Sequence, residues 1–193
     1  MKAVFLDRDG VLNRDGPGFV TSPEELELLP GVAEAVRMLQ GAGFLTVVVT
    51  NQSAVGRGLM TLQDLQEVHD KLESELARDG ATLDAIYFCP HTPTEGCTCR
   101  KPRPGMLLQA RDDFGIALEE SFFVGDKPTD IECGASQGCR TVLVLSGLSP
   151  EYDPAQFPIA PNHVCADLKE AAEWIVGGCI PEATGRGGTE VPS

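Results

Sequence analysis

The sequence predicts an α/β protein, a parallel sheet with helices on both faces, and three observations carry that prediction. Short β-rich apolar runs alternate with segments of helical periodicity along nearly the whole chain, the order that βα units produce. Asp7, Thr50 and Asp126 each close a separate apolar run, and in such sheets ligands bind outside the carboxyl ends of the strands. No internal repeat or coiled-coil heptad breaks the alternation.

Residues 3–7 form the first strand, four apolar residues closed by a carboxylate. Residues 31–41 read as a helix with Val32, Val36 and Leu39 on one face. The run 44–50 is a second strand, rich in β-branched residues and bounded by glycine and polar residues. Thr61 can cap a long helix in which Leu65, Val68, Leu72 and Leu76 form an apolar stripe. A helix that covers a sheet buries one face, so the stripe reads as core packing. Residues 84–89 are a third strand, followed by a loop rich in Cys, Pro and Thr. Pro104 opens a helix towards Phe114, as proline at a first helical position does. A strand at 122–125, a helix at 129–137, a strand at 141–145 and a helix at 168–176 complete the pattern. The segment 177–193 is dominated by Gly, Pro, Thr and Glu and is expected to be disordered. Residues 1–176 are then one domain, with no separate cap domain because the intervals between elements are short.

The composition, 42% hydrophobic and 23% charged, is ordinary for a soluble protein. A net charge of −14 argues against nucleic acid as a partner. It permits a small phosphorylated substrate if cations gather at the site. The first apolar run is too short for a signal peptide and no segment reaches membrane-spanning length. A cytoplasmic monomer is the expectation. In that compartment, clustered cysteines among the seven point to metal binding.

Asp7-Arg8-Asp9-Gly10 follows the first strand directly. Alternate residues on an extended segment face the same way, so Asp7 and Asp9 are expected to converge while Arg8 points elsewhere. Two such carboxylates repel unless a cation or a shared proton intervenes, and a hard divalent ion such as Mg²⁺ suits oxygen ligands. One acid can then serve as nucleophile and the other as acid/base. Alone, the motif reads better as an acidic turn closing a strand. An EF-hand is excluded, since its turn glycine would fall at Leu12 and its last acid at Gly18. Lys101 alone reads as a solvated lysine, Thr50 as a strand residue, Asp126 as a turn and Asp130 as a solvated helix residue.

Cys89, His91, Cys97 and Cys99 give C-x-H-x5-C-x-C on one short loop, a spacing suited to a closed tetrahedral zinc site. That loop runs straight into Arg100-Lys101, so zinc would position the lysine as well as stabilise the fold. Cys133, Cys139, Cys165 and Cys179 are scattered, and His69 and His163 have no ligand partner in sequence.

Four segments occur in order: Asp7-Arg8-Asp9-Gly10, Thr50-Asn51-Gln52, Arg100-Lys101-Pro102 and Gly125-Asp126-Lys127-Pro128-Thr129-Asp130. Together they resemble the four motifs of the haloacid dehalogenase (HAD) superfamily of phosphatases. The resemblance implies a Rossmann-like core and phosphoryl transfer through an aspartyl-phosphate. It makes Asp7 the nucleophile and Asp9 the acid/base. Asp7, the Asp9 backbone carbonyl and Asp126 would hold Mg²⁺, and Thr50 and Lys101 would bind phosphoryl oxygens. Asn51, Gln52, Ser53 and Arg100 would contact substrate. Many members carry a second acid where Lys127 stands here; Lys127 and Asp130 fit behind the metal ligands.

With the zinc loop, the chain is similar to two groups, the heptose 1,7-bisphosphate phosphatases and the histidinol-phosphate phosphatases. T-N-Q-S at 50–53 with Arg57-Gly58, R-K-P-x-P-G-M at 100–106 and G-D-K at 125–127 favour the heptose group, and the short x5 interval the histidinol group. The former implies a phosphorylated sugar substrate and nucleotide-activated heptose synthesis. Without a cap, specificity falls to the loops at 13–22, 52–58 and 92–100. Two readings of other classes compete. A phospho-accepting signalling domain also gathers acids, Mg²⁺, a threonine and a lysine at strand ends, but its acceptor ends a middle strand. A zinc-dependent interaction module leaves the acidic strand ends unexplained.

Overall fold

The computed structural model describes residues 1–148 and 151–178. Its strands are β1 (Ala3–Leu6), β2 (Leu45–Asn51), β3 (Ala85–Cys89), β4 (Phe122–Gly125), β5 (Arg140–Val144) and β6 (His163–Cys165). They pair in parallel in the order β3-β2-β1-β4-β5-β6. The helices are α1 (Val32–Gly41), α2 (Leu62–Arg78), α3 (Gly105–Phe114), α4 (Pro128–Ala135) and α5 (Leu168–Gly177).

β1 is apolar at every position because both of its faces are covered. Val4 and Leu6 pack into one core with residues of α1, α2 and α5. Ala3 and Phe5 point into the opposite core with Met106, Leu107 and Ala110 of α3 and Cys133 of α4. The strand period of two thus divides a single apolar run between two hydrophobic layers.

Thr61 caps α2 as the sequence suggested. Its hydroxyl accepts from the Asp64 backbone N–H at 3.1 Å, and the Asp64 carboxylate accepts from the Thr61 N–H at 2.7 Å. Such a reciprocal cap contributes about 1 kcal/mol. Leu65, Val68, Leu72 and Leu76 are fully buried, each stabilising the fold by roughly 1.5–3 kcal/mol. His69 is buried on the same helix.

Bounds shift by one or two residues from those the sequence predicted, within the fraying expected at element ends; Pro104 is the N-cap of α3 rather than its first residue. The sixth strand was not anticipated. It spans three residues, too short for any periodicity, and is held in register by β5 through Val142, Leu143 and Val144. Gly177 ends α5; the remainder of the segment expected to be disordered, Cys179 included, lies outside the described residues from 179 onward.

The sheet order places the site. From β1 the chain steps through β2 to β3 on one side, then crosses to β4 on the other. The crevice of a doubly wound sheet opens where that reversal occurs, between the carboxyl ends of β1 and β4. Asp7 and Asp126 are the residues that follow those two strands.

Candidate active site

Asp7 extends the β1–β4 pairing by one step, its N–H donating to the Val124 carbonyl at 3.0 Å, and this fixes its buried carboxylate at the crevice. Lys101, contributed by the distant loop after β3, places its Nζ 2.9 Å from Asp7 Oδ1 and 2.7 Å from Asp130 Oδ1. The same Nζ donates to the Val49 carbonyl at 2.7 Å. With only 3% of its surface exposed, Lys101 is no solvated lysine. Burial would lower its pKa, but Asp130 and Asp7 outweigh that and hold the ammonium above the usual lysine range. Asn51 fixes the backbone here: its amide accepts from the Lys101 N–H at 3.1 Å and donates to the Lys101 carbonyl at 3.2 Å. Asn51, which also lines the cleft, thus holds the backbone of the lysine in place.

Asp126 sits against backbone with no room to spare. Gly10 adopts a φ of +86°, and a Cβ there would lie 2.5 Å from Asp126 Oδ2; a side chain at Gly147 would also collide with it. Ligand oxygens of Asp7, Asp126 and Asp130 all fall within 4.8 Å of one another. Burial first, then the charge of Asp7, pushes the Asp126 carboxyl up to about 7. Buried carboxylates crowded in this way form an oxygen-donor set suited to a small hard divalent cation. Lys127 Nζ approaches both Asp126 oxygens, at 3.0 and 3.1 Å, and reaches Asp15 at 3.1 Å. Burial would lower the pKa of Lys127, but Asp7, Asp126 and Asp130 raise it further. Asp130 lies behind the pair, accepting from the Lys127 N–H at 3.1 Å.

Asp9 lines the same cleft as Asp7, while Arg8 is fully buried and stays off that face. β1 ends at Leu6 and the chain turns at Gly10, which lets the Arg8 guanidinium grip Asp9 from behind, with Nη2 at 2.9 and 3.0 Å from its two oxygens. Asn13 Nδ2 donates to Asp9 Oδ1 at 2.9 Å and Gln52 Nε2 to Asp9 Oδ2 at 2.8 Å. Burial would raise the Asp9 carboxyl, but Arg8, Asn13 and Gln52 together hold it below the usual value. Gln52 Nε2 also donates to Thr50 Oγ1 at 2.9 Å, linking the ends of β1 and β2.

One cleft of about 740 Å³ is lined by Asp7, Asp9, 50–53, 100–103, Lys127 and Asp130, with Gly16–Val20, Pro93 and Leu148 from the connecting loops. No cap domain stands over it among the described residues.

The zinc ligands gather beside the cleft. Cys99 Sγ lies 3.3 Å from Cys89 Sγ and 3.3 Å from His91 Nδ1; Cys89 Sγ lies 3.7 Å from Cys97 Sγ and 3.5 Å from His91 Nδ1. A tetrahedron of ligands at the usual Zn–S distance has edges of roughly 3.8 Å, so the cluster fits a structural zinc. Backbone bonds tie this loop to the cleft: Gln52 N–H to the Cys89 carbonyl at 2.8 Å and Gly56 N–H to the Pro90 carbonyl at 2.9 Å. Arg100 Nη1 donates to the His91 carbonyl at 3.2 Å.

The HAD-hydrolase-like family profile matches residues 98–171. A D-glycero-beta-D-manno-heptose-1,7-bisphosphate 7-phosphatase of Helicobacter pylori is 38% identical over 178 residues, covering 90% of this chain and 97% of that protein. The crystal structure of D,D-heptose 1,7-bisphosphate phosphatase from Bordetella bronchiseptica, complexed with magnesium and phosphate, superposes with a TM-score of 0.86 at 40% identity, covering 92% of this chain and 99% of that one. This chain belongs to the heptose bisphosphate phosphatase family of HAD-like enzymes. A family relative from Chlorobaculum tepidum, also named as a heptose-1,7-bisphosphate 7-phosphatase, is 39% identical and 95% covered.

Within this family framework, the structure brings every cleft residue singled out in sequence to one crevice and the four zinc ligands to a cluster beside it. Sequence reasoning missed Asp15, Asn13 and the Gly147 wall. Asp15 bridges to Lys127 across 112 residues, and Ser146 donates to the Gly10 carbonyl at 2.7 Å; neither contact has a local signal. Asn13 had one, its position in the turn after Gly10. Cys133, Cys139 and Cys165 are buried free thiols, and His163 stacks on Trp174 with centroids 4.5 Å apart.

Proposed function

We propose that this chain is a Mg²⁺-dependent phosphomonoesterase that removes the C7 phosphate of D-glycero-D-manno-heptose 1,7-bisphosphate, a step towards nucleotide-activated heptose. Residues 1–176 act as one phosphatase domain with its zinc loop at 89–99, as a cytoplasmic monomer without nucleic-acid or membrane partners. The observation that supports this reading most directly is the contact of Lys101 with Asp7 and Asp130 beside Asp126, four residues from three remote segments.

An Asp7 oxygen attacks phosphorus in line as the bond from phosphorus to the C7 oxygen breaks. Asp9, whose carboxyl the negative charge of the arriving phosphate raises from its low resting value, delivers a proton to that departing oxygen. It then takes one from the water that attacks the aspartyl-phosphate, freeing phosphate and restoring Asp7. Thr50 and Lys101 bind the equatorial oxygens, where negative charge accumulates. Asp7, the Asp9 carbonyl and Asp126 would hold Mg²⁺, which when bound would supply the charge neutralisation that lets a carboxylate meet an anionic phosphate. Arg100 and Ser53 contact the rest of the substrate, Asn51 and Gln52 orient Lys101, Thr50 and Asp9, and Lys127 and Asp130 stand behind the metal ligands.

Phosphate release from the bisphosphate and from histidinol phosphate, measured side by side with Mg²⁺, tests the assignment. The heptose compound should be hydrolysed far faster; the opposite preference would move the enzyme to histidine synthesis.

A further inference from the structure

Behind the reacting face, Arg8 Nη1, Asn13 Oδ1 and His69 Nε2 are buried polar atoms without a partner among the described residues. Two of their side chains, Arg8 and Asn13, share Asp9 as a partner. Arg8 is completely buried, and its Nε and Nη2 are spent on Asp9, leaving Nη1 as a donor in need of an acceptor. Asn13 cannot be flipped to help. Its Nδ2 donates to Asp9 Oδ1 and to the Arg14 carbonyl, both at 2.9 Å, so the remaining atom is an acceptor in need of a donor. His69, on α2, is 2% exposed, packs against Phe88 at a centroid distance of 5.7 Å and lies within the electrostatic reach of Arg8 and Asp9. Burial first, then the charge of Arg8, lowers its pKa to about 4, so the ring is neutral; with the proton assigned to Nδ1, Nε2 is the nitrogen that accepts.

A lone donor and two acceptors match the capacity of one water, which accepts once and donates twice. Buried polar groups in folded proteins seldom go unpaired. We propose that Arg8 Nη1, Asn13 Oδ1 and His69 Nε2 converge on a single buried water, making His69 a positioning residue for the Asp9 carboxyl. The inference rests on the reading of Asp9 as acid/base. His69 touches no substrate. It braces the rear of the guanidinium whose front fixes the Asp9 oxygens, and proton transfer demands that those oxygens stay within hydrogen-bond reach of the departing oxygen.

The test compares His69→Phe, His69→Gln and Asp9→Asn as full chains loaded with Mg²⁺ and Zn²⁺, on the heptose bisphosphate and on p-nitrophenyl phosphate. Nitrophenolate departs without a proton, so its pre-steady-state burst reports attack by Asp7 free of Asp9. His69→Phe should lower kcat on the bisphosphate by about tenfold to a hundredfold, with KM unchanged and the burst rate kept. His69→Gln, which can still bond the water, should recover most of the loss. Equal losses on both substrates, or none in a folded His69→Phe protein, would overturn the proposal. Should the Phe variant fail to fold, a high-resolution crystal structure of the wild type decides: one water bonded to all three atoms supports it, and His69 Nε2 bonded to a protein group refutes it. Asp9→Asn separates the two levels. No contrast between substrates there removes the acid/base role itself, whereas a contrast there without one in His69→Phe removes only the role of His69.

Discussion

The two metal-binding regions of this molecule are built on opposite plans. The zinc cluster draws soft ligands from an eleven-residue stretch, 89–99, and its edges of 3.3–3.7 Å already match a closed tetrahedron. The carboxylate cluster draws hard ligands from the ends of separate strands and opens onto a cleft. A closed site stabilises structure, and an open one leaves room for a reacting group. What joins them is one step of chain: Cys99 ligates, Arg100 returns to the His91 carbonyl, and Lys101 enters the carboxylate cluster. The structural site therefore fixes one wall of the chemical one.

The largest effect should come from the chemical side alone. Asp7→Asn is expected to cut phosphate release by about 10⁴-fold or more, while zinc content and the circular dichroism spectrum stay those of the wild type. Lys101→Met strikes where the two regions meet. It leaves Asp7 and Asp130 without their buried counter-charge, and breaking a buried pair in this way costs about 3–5 kcal/mol. Denaturant unfolding should register that loss, and turnover should fall by about 10²–10³-fold.

Cys99→Ser sharpens the comparison from the other side. Zinc should be absent by elemental analysis and turnover should fall by about tenfold or more through misplacement of Lys101. Full activity in a zinc-free protein would dissolve the link between the sites. Arg103→Ala should give the smallest change. Its guanidinium donates to the Cys97 carbonyl from an exposed position, and its loss should cost about 1 kcal/mol of stability with kcat nearly intact.

The same contrast explains what could be read in the sequence. The zinc loop was legible because its ligands are neighbours in the chain, so spacing and spatial arrangement are nearly the same thing. The carboxylate site was legible for another reason. Asp7, Thr50 and Asp126 each end a strand, and a parallel sheet aligns strand ends whatever lies between them. The grip of Arg8 on Asp9 was not legible because the strand stops at Leu6, and alternation has no force once the chain turns. The hold of Asn51 on Lys101 was not legible because the two lie 50 residues apart. The Lys127–Asp15 bridge, the Gly147 wall and β6 depend on pairing across the sheet, where no local pattern announces a partner.

The sheet also sets the acids at its strand ends apart from the loops that border the cleft. Asp7, Thr50 and Asp126 hang from β1, β2 and β4, the inner part of a six-stranded sheet, whereas the rim at Gly16–Val20, Pro93 and Leu148 belongs to connecting loops. Grafting a different rim onto these strand ends would retarget the hydrolase to new phosphate esters without retuning its bond-breaking apparatus. Diversification of such a scaffold would accordingly proceed by exchange of its borders, with the interior left as common stock.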